Sequence, residues 1–566
     1  MAPAWWIPLL APAVLVLAVF VVYLLAWNGG FLWEDRLYAS TNPLLTAADG
    51  WWKIWFTLES PAQYFPLTHT VFRLEKIFWG SSLTSYHLLN IALHAGGALV
   101  LWRLLRRLEI PAPWLGAALF ALHPVQVETV AQISELKNVL MGLCFLASLF
   151  FWVRFRADRQ GKWWIASFVC CLLALAAKSN ACVLPAVFLL ILWWRRERLN
   201  WKTCLESLPF AVASAGAAFV AILWEHLHNT AAVVADIGSV ERGLIASRAI
   251  FFYLGKLLWP FHLTFNYPAW NISRSDPADY LWVGAVVLLA TAIYLARRRL
   301  GRGPEMALLF FVICLSPFLG FVVIYTFRFS YVADHYQYLA SIGPLVLAGA
   351  ACEWIRGKSR SISWILPGVV LALIAFLSWR EAAHYKNGEA LWAATVQENP
   401  QSWMGENNYG TVLADRGDER SAFAHYQRAY ELAPKNFESA SNMGGCLMDL
   451  HQPVAALPYL EQAVRINDRD PKARGDLGRA LIQLGRVSEA ISSLEQFLTF
   501  VPRDAAAHTI LASALVLQGR TDEALAHLRT ALAEQPDDPQ TLTQLANLYL
   551  RTQQNRQAAE MLRHIL

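Results

Sequence analysis

Two adjacent carboxylates occur near the start of the chain. Glu34 and Asp35 follow the first apolar run and precede Asn42-Pro43. A carboxylate pair close to a lipid surface can take the proton of a hydroxyl group or can hold a cation. The alternative is a solvated pair in a loop, because acidic side chains are usually exposed. The pattern therefore predicts a base or a cation site, and the solvated loop stays open as the second interpretation.

Three polar side chains recur on one face of a predicted membrane helix. His87, Asn90 and His94 are spaced i, i+3 and i+7, which places them on the same side of a helix. Ionisable groups inside a membrane are costly and usually face protein or a functional cavity. Because Asn and His also join membrane helices by hydrogen bonds, the stripe predicts either a cavity wall or a packing contact.

Further polar clusters recur at the predicted outer ends of later apolar runs. They are His123-Pro-Val-Gln-Val-Glu128, Ser134-Glu135-Leu136-Lys137-Asn138, Lys178-Ser-Asn180, Arg328 and Asp334-His335-Tyr336. Any one of them could anchor the chain at a membrane interface. Their recurrence on one face predicts a shared cavity, with acids for a base and cations for a phosphate, because Lys and Arg suit this multi-oxygen anion.

The elements that position these residues are predicted to be membrane helices. Hydrophobic residues make up 56% of the 566 residues and charged residues only 16%, where an ordinary soluble chain has about 25% charge. Apolar runs of about the length of a membrane span lie near 5–26, 86–104, 113–131, 137–155, 162–180, 181–194, 204–224, 280–296, 306–325, 337–355 and 362–379. They predict about 11 membrane helices. A further run, 243–259, carries Arg248 and Lys256 and is predicted to be re-entrant or interfacial.

The positive charge of the first part orients these spans. Residues 1–380 hold 30 Lys and Arg against 19 Asp and Glu, whereas the remaining residues hold 17 against 23. The basic clusters are Arg103/Arg106/Arg107, Arg154/Arg156/Arg159/Lys162, Arg195/Arg196/Arg198/Lys202, Arg297/Arg298/Arg299/Arg302 and Arg356/Lys358/Arg360. Cytoplasmic loops are rich in Lys and Arg, so we expect a cytoplasmic N-terminus and the polar clusters on the opposite side. The first run lacks a basic leader and is not expected to be a cleaved signal peptide.

A 34-residue period marks the last part of the chain. Alanine recurs at 422, 456, 490, 524 and 558, and small residues at 410, 444, 478, 512 and 546 keep the same interval. The period resembles the tetratricopeptide repeat, with four full repeats and a partial fifth. We predict an all-α chain with a membrane domain over 1–380, a linking helix over 381–399 and a repeat domain over 400–566. The concave surface of such a solenoid is expected to bind a peptide or protein.

The eight cysteines predict neither a zinc site nor a disulfide framework. Seven lie in apolar runs and one in the polar part, and the sequence has no Cys-x-x-Cys pair. Such cysteines are usually small core residues. The sequence also has no phosphate-binding glycine loop of the nucleotide-binding kind. We therefore expect no nucleotide cofactor and no nucleic-acid partner.

Taken in order, the motifs resemble those of the transmembrane and tetratricopeptide-repeat protein O-mannosyltransferases and their bacterial relatives. The motifs are the Glu-Asp loop, the Asn-Pro after it, His87-x-x-Asn-x-x-x-His94, His123-Pro-x-x-x-Glu128, Glu135-Leu-Lys-Asn138, Leu258 to Pro268 and Ala333 to Leu339. The resemblance covers nearly the whole chain. It implies a membrane domain similar to GT-C glycosyltransferases. These enzymes move a sugar from a polyprenyl phosphate to Ser or Thr of a protein on the non-cytoplasmic side.

The resemblance also implies roles for single residues. Glu34 and Asp35 match the paired acids of the family, and Asp35 is expected to be the base that activates the acceptor hydroxyl. Lys137 and Lys178 are expected to hold the lipid-linked phosphate.

Two positions depart from the family pattern. His335 follows Asp334 where relatives carry Arg after the acid, and Leu136 replaces another Arg. Arg328 is expected to compensate for the missing charge. The remaining residues expected in the cavity are His87, His94, His123, Glu128 and Glu135. The resemblance is to the metal-independent branch, so no cofactor is implied beyond the lipid-linked donor; a divalent metal bridging the acids and the phosphate is the alternative.

Other functions remain compatible with the sequence. A non-catalytic scaffold could use the repeats to recruit partners and the membrane part as an anchor. A lipid-linked glycan ligase or polymerase would differ only in its acceptor. The amino-acid sequences of the motifs resemble those of bacterial relatives, which favours a bacterial inner membrane with the repeats in the periplasm. The alternative is an endoplasmic reticulum membrane with the repeats in the lumen.

Overall fold

The chain folds into two compact helical units. A computed structural model describes residues 7–60, 63–80, 82–198, 200–228, 237–322, 324–358 and 365–565. The first unit, Met1–Asn399, is called the membrane unit below, and the second, Pro400–Leu566, the repeat unit. Throughout the described ranges the secondary structure is helical and no strand occurs. The predicted all-α class is confirmed. The segment 381–399, predicted as a linking helix, belongs to the membrane unit.

The membrane unit contains seventeen α-helices among its described residues. They are α1 Ile7–Val22, α2 Asp35–Ala39, α3 Gly50–Phe56, α4 Pro66–Trp79, α5 Leu83–Arg107, α6 Pro113–Leu122, α7 Val127–Ala131, α8 Leu136–Asp158, α9 Gly161–Ala177, α10 Leu184–Trp194, α11 Trp201–Leu227, α12 Ser239–Leu258, α13 Leu281–Leu300, α14 Gly303–Leu315, α15 Ile342–Lys358, α16 Ile365–Ala382 and α17 Gly388–Glu398. Arg360 of the last predicted basic cluster lies outside the described residues.

Five helical segments in the described part of the chain are long and apolar enough to cross a membrane. They are Leu83–Arg107, Ile133–Asp158, Trp201–Leu227, Pro277–Leu300 and Ile365–Lys386. Five further apolar helices of the membrane unit have 10 to 17 residues. The predicted number of eleven spans is therefore not confirmed. All but the last residue of the run 243–259 lie within α12, which is not among the five.

The shorter apolar helices stop at polar turns. α6 ends at Leu122, where His123-Pro124 begins a 3-10 turn, and α14 ends at Leu315, just before Pro317. Proline removes a backbone donor and ends a regular helix. Non-helical backbone at membrane depth is tolerated where it is buried in protein or lines a cavity. These interruptions shorten the helices and supply the turns on which a site can be built.

The surface of α13 shows where the membrane unit needs lipid. None of its residues is buried, and Leu281, Val287 and Leu288 are 60 to 72% exposed. A long helix that is apolar all round is stable when hydrocarbon covers its sides. We therefore assign this face to the bilayer.

The repeat unit is a series of five helix pairs among the described residues. The helices are α18 Trp403–Ala414, α19 Glu419–Leu432, α20 Phe437–Asp449, α21 Pro453–Ile466, α22 Pro471–Gln483, α23 Val487–Phe500, α24 Ala505–Leu517, α25 Thr521–Glu534, α26 Pro539–Arg551 and α27 Asn555–Ile565. The recurring alanines 422, 456, 490, 524 and 558 are all fully buried. Side chains Asn436, Asp470, Asp504 and Asp538 cap the helices that begin after them, as such residues favour.

The small residues of the 34-residue period lie at close contacts inside the pairs. A Cβ atom added to Gly444 would lie 2.6 Å from the side chain of Leu460, and one added to Gly478 would lie 3.1 Å from Leu494. The first helix of each of these pairs thus packs its glycine directly against the second helix. The predicted repeat architecture is confirmed.

Candidate active site

A cavity of about 360 Å³ lies in the membrane unit. Its lining contains both charged and apolar side chains. The charged side chains, called the charged wall below, include Glu34, Glu128, Glu135, Lys137, Lys178, Glu225 and His335. The apolar wall includes Ala218, Ala221, Ile222, Pro317, Phe318 and Val322. Six of the predicted site residues thus surround one space, although they come from five separate stretches of sequence.

The loop that carries Glu34 is folded and not simply solvated. The Asn42 side chain accepts a hydrogen bond from the backbone N–H of Leu44 at 3.0 Å and so caps the turn that Pro43 begins. Arg73 of α4 donates to the Leu44 carbonyl at 2.6 Å and to the Ala47 carbonyl at 2.9 Å. The Asn-Pro motif therefore has a structural role, because it fixes the loop that follows α2.

Asp35 is held behind the cavity wall. It is fully buried, and its two carboxylate oxygens accept backbone N–H groups of Leu32 at 2.8 Å and of Ser134 at 2.7 Å. Burial raises the pKa of Asp35 to about 6, while the Leu32 and Ser134 bonds oppose that rise. Asp35 is absent from the lining of the cavity. The bond to Ser134 joins the loop that carries Glu34 and Asp35 to the turn before α8. The predicted role of Asp35 as the base stays a prediction.

Glu34 lines the cavity and contacts two polar partners. The hydroxyl of Tyr325 donates a hydrogen bond to its Oε1 atom, and Nζ of Lys137 lies 4.0 Å from its Oε2 atom. Burial raises the pKa of Glu34, and the charge of Lys137 opposes the increase. A carboxyl whose pKa is moved towards neutrality, and which is exposed to a cavity, is suited to accept a proton there.

The two lysines are placed differently. Nζ of Lys137 lies 3.0 Å from Glu135 Oε1 and 4.5 Å from the centre of the Tyr38 ring, so its charge is compensated. Lys178 follows α9 at the cavity wall, with Nζ 5.5 Å from the centre of the Phe318 ring. Among the described residues no ion pair of Lys178 is formed. Its charge is the one that an anion in the cavity can use most readily.

Glu128 and His335 form a pair at the same wall. Nδ1 of His335 lies 2.6 Å from Glu128 Oε1, and the backbone N–H of His335 donates to Oε2 of the same carboxylate at 3.2 Å. Glu128 comes from the five-residue helix α7, and His335 comes from a 3-10 turn before α15. One carboxylate therefore fixes both the backbone and the ring of the histidine.

The predicted histidines on the membrane helices lie outside the cavity. His94 contacts the Tyr338 hydroxyl with Nδ1 at 2.9 Å and the Ala121 carbonyl with Nε2 at 3.0 Å. His123 contacts the Leu257 carbonyl with Nε2 at 3.1 Å, and His87 is fully buried. These side chains are placed in the contacts between helices, which corresponds to the packing interpretation of the stripe.

Asp334 and Arg328 are also absent from the cavity lining. Asp334 accepts a hydrogen bond from the hydroxyl of Tyr267 at 2.9 Å. The guanidinium of Arg328 lies 4.8 Å from the centre of the Phe329 ring. The compensating role predicted for Arg328 stays a prediction.

Several lining residues were not predicted from the sequence. Tyr325, Thr326, Gln63 and Glu225 all face the cavity. The hydroxyl of Thr326 is hydrogen-bonded to that of Tyr336, a member of the predicted Asp334-His335-Tyr336 cluster, and the Gln63 amide donates to Glu225 at 3.1 Å. The cluster of tyrosines from 325 to 338 is the signal that could have identified Tyr325. Gln63 and Glu225 meet only through the tertiary fold.

The described residues contain no group of three or more His, Cys, Asp or Glu side chains arranged to hold a metal ion. The acids of the cavity are instead placed beside cations or histidine. Glu135 contacts Lys137, and Glu128 contacts His335.

Models of known families match parts of both units. A family model described as dolichyl-phosphate-mannose-protein mannosyltransferase matches residues 69–224, which include Glu128, Glu135, Lys137 and Lys178. Tetratricopeptide-repeat models match residues 447–498, 476–539 and 515–566. The loop that carries Glu34 and the turn that carries His335 lie outside the matched ranges.

Named relatives agree with both matches. A protein O-mannosyl-transferase of Caenorhabditis elegans is 24% identical over 74% of this chain and 62% of its own length. The protein O-mannosyl-transferase TMTC4 of Homo sapiens is 24% identical over 75% of this chain and 66% of its own length. The predicted resemblance is confirmed. The chain spans less than two thirds of the length of either of these O-mannosyl-transferase relatives.

Solved structures of tetratricopeptide-repeat proteins match about a third of the chain or less. A thermophilic protein of this kind from Thermus thermophilus is 24% identical, and the match covers 29% of this chain and 90% of that one, with a TM-score of 0.28.

The apolar helices and the O-mannosyl-transferase relatives together identify the chain as a membrane protein.

Proposed function

We propose that the membrane unit transfers mannose from a polyprenyl-phosphate donor to Ser or Thr of a protein. The observation that carries this proposal is that one cavity is lined by both charged and apolar side chains. A donor of this kind has a phosphate and sugar at one end and a long hydrocarbon chain at the other. A cavity with both kinds of wall suits it better than it suits a soluble nucleotide sugar.

The apolar wall offers the hydrocarbon chain a route from the bilayer. Ala218, Ala221 and Ile222 belong to α11, of which only 22% of the candidate span is buried within the protein. Pro317, Phe318 and Val322 line the same cavity. The small side chains of α11 leave space beside a helix that faces lipid. The polyprenyl chain enters between these two segments.

The charged wall binds the phosphate and receives the proton of the acceptor. Lys178 faces the donor phosphate, because Lys137 is already compensated by Glu135. We assign the base to Glu34 and not to Asp35, since only Glu34 lines the cavity. The acceptor oxygen attacks C1 of mannose as its proton passes to Glu34. The bond from C1 to the phosphate oxygen breaks, and its electron pair remains on the departing phosphate.

The repeat unit is assigned to the acceptor. Helix pairs of this kind form a concave surface that binds extended polypeptide. We place the repeats and the cavity opening on the non-cytoplasmic side, because the basic clusters mark the cytoplasmic loops. A bacterial inner membrane with the repeats in the periplasm satisfies this arrangement, as would an endoplasmic reticulum membrane with the repeats in the lumen.

The proposal is tested with membranes that contain the full chain and labelled polyprenyl-phosphate-mannose. Label is expected to appear in protein. The variant Lys178→Met is expected to lower the rate about 100-fold or more, the usual loss when one charge-stabilising group is removed. Lys202→Met, which changes an exposed lysine of α11, is the matched control and should keep the full rate. Equal rates for both variants would contradict the assignment of Lys178.

The alternative functions give different results in the same assay. A non-catalytic scaffold would transfer no label at any donor concentration. A glycan ligase or polymerase would transfer label to glycan and not to protein. Separating protein from glycan after the reaction distinguishes all three functions.

A further inference from the structure

We propose that His335, held by Glu128, is the proton-carrying cation that contacts the departing phosphate, so that sugar transfer requires a protonated imidazole. This inference rests on the function proposed above and adds a catalytic residue to it. It starts from the two hydrogen bonds that join the Glu128 carboxylate to His335.

The geometry fixes which nitrogen is available to the donor. Glu128 uses one oxygen for Nδ1 of His335 at 2.6 Å and the other for the backbone N–H at 3.2 Å. The Glu128 side chain is 2% exposed, whereas the His335 side chain is 17% exposed and lines the cavity. With Nδ1 committed to Glu128, Nε2 is the ring nitrogen left to contact a ligand. A carboxylate partner of this kind orients an imidazole and stabilises its protonated form.

The charges around His335 require a further cation once the donor binds. The acids of the cavity wall are Glu128 on α7, Glu34 before α2, Glu135 before α8 and Glu225 on α11, and its lysines are Lys137 and Lys178. Four acids and two lysines give a net charge of −2 with neutral His226 and His335, when all six are ionised. A donor phosphodiester adds a third negative charge. Protonation of His335 removes one of these three charges at the point where the anion lies.

Among the described residues, Glu128 is the group that hydrogen-bonds a ring nitrogen of His335. Tyr336, next in the chain, stacks on Phe318 and shares a hydrogen bond with Thr326. Asp334, the preceding residue, accepts a hydrogen bond from the hydroxyl of Tyr267. The cation Arg328 does not line the cavity. His335 is thus the group in this turn that can change its charge in contact with a ligand.

The reaction balances with a protonated His335. The acceptor oxygen forms a bond to C1 of mannose, and its proton passes to Glu34. The bond between C1 and the phosphate oxygen breaks, and the electron pair stays on that oxygen. Nε2–H of His335 donates a hydrogen bond to the same oxygen and gives up its proton as the polyprenyl monophosphate leaves. Glu34 returns the acceptor's proton to water, and His335 takes one from water, before the next cycle.

The test compares the pH dependence of sugar transfer in the wild type, His335→Arg and His335→Gln between pH 5.5 and 9. Histidine is the side chain that changes charge near neutral pH. The wild-type rate is therefore expected to fall towards tenfold per pH unit on the alkaline side. The comparison is made with Lys178→Arg present in every chain, because a buried lysine at the same phosphate could also lose its charge in this range. On that background His335→Arg, which carries a fixed charge, should lose this alkaline fall. His335→Gln should be about 100-fold slower at its best pH.

A binding measurement separates this role from a structural one. Binding of polyprenyl-phosphate-mannose, measured without acceptor, should weaken with rising pH in the wild type and not in His335→Arg, because this phosphodiester keeps one charge over the whole range. An unchanged alkaline fall in His335→Arg, or a wild-type rate in His335→Gln, would overturn the inference. If the proposed function itself is wrong, the wild type will transfer no mannose at any pH. The two failures can therefore be told apart.

Discussion

The adjacent acids Glu34 and Asp35 provide the sharpest test of the site, because the structure gives them different tasks. Both oxygens of Asp35 accept buried backbone N–H groups, at 2.7 and 2.8 Å. Asp35→Ala leaves both amides without a partner. A buried amide that loses its acceptor costs about 1–3 kcal/mol, so the free energy of unfolding should fall by about 2–6 kcal/mol. Asp35→Asn keeps one acceptor oxygen and should lose about half as much.

Glu34→Gln should affect the reaction and not the fold. Glu34 contacts Lys137 at 4.0 Å, and Lys137 keeps its closer partner Glu135 at 3.0 Å. A glutamine side chain also keeps an oxygen that can accept the hydrogen bond from Tyr325, so the free energy of unfolding should change little. Loss of a general base, in contrast, lowers the rate by about 100-fold to 10000-fold. The wild type and Glu34→Gln should therefore unfold together and differ in transfer.

The two quantities are measured on the same purified chain in detergent. Unfolding in denaturant is followed by far-UV circular dichroism, and mannose transfer is followed with labelled donor. Stability should decrease in the order Glu34→Gln, Asp35→Asn, Asp35→Ala. An Asp35→Ala protein as stable as the wild type but inactive would show that Asp35 acts on the acceptor. Full activity of Glu34→Gln would remove Glu34 from the mechanism.

Further changes test the repeat unit, the cavity and the buried acid. Gly444→Ala should destabilise the repeat unit by about 1–3 kcal/mol because of overpacking, while Gly475→Ala, whose added Cβ would have a nearest contact at 3.3 Å, should be neutral or stabilising in thermal unfolding. Cys182 lines the cavity, so polyprenyl phosphate should slow the reaction of Cys182 with a thiol reagent. The reaction of the exposed Cys204 should be unaffected. A Cys182 rate that is the same with and without polyprenyl phosphate would exclude binding of the lipid in this cavity. Between pH 4 and 6 the folded chain holds a proton on Asp35 that the unfolded chain has lost, since burial raises the pKa of this carboxyl to about 6. The free energy of unfolding should therefore fall by up to about 3 kcal/mol as pH rises through this window, a fall that is absent in Asp35→Asn.

The repeat unit was predictable because its information is local and repeated. The positions of alanine and glycine at 34-residue intervals are set by contacts within each helix pair, so the period alone predicted the repeat architecture. The number of spans was less predictable. Turns such as those at His123-Pro124 and Pro317 divide apolar runs into helices shorter than a regular span. Composition does not show how much of such a run stays helical.

The candidate site was predictable in its residue types more than in their contacts. Polar clusters at the ends of apolar runs pointed to Glu34, Glu135, Lys137 and Lys178, because a charge near hydrocarbon is costly without a function. The same reasoning selected His94, which the structure places in a packing contact. Whether a buried polar side chain meets a carbonyl or a cavity depends on the neighbouring helices, and a single helix does not carry that information.

The pair formed by Glu128 and His335 could not be predicted for the same reason. The two residues are separated by 207 positions, and each belongs to a short motif that can be explained on its own. Only the packing of α7 against the turn before α15 joins them.

The most direct test of the central claim is to locate the donor in the cavity. Polyprenyl phosphate with a photoreactive group near the first isoprene unit is added to membranes containing the full chain, and crosslinked peptides are identified by mass spectrometry. Crosslinks are expected at Ala218–Ile222 of α11 and at residues 317–322, the two apolar segments of the cavity wall. Crosslinks that spread over the lipid-facing surface of α13, and are not reduced by excess unlabelled polyprenyl phosphate, would contradict the account.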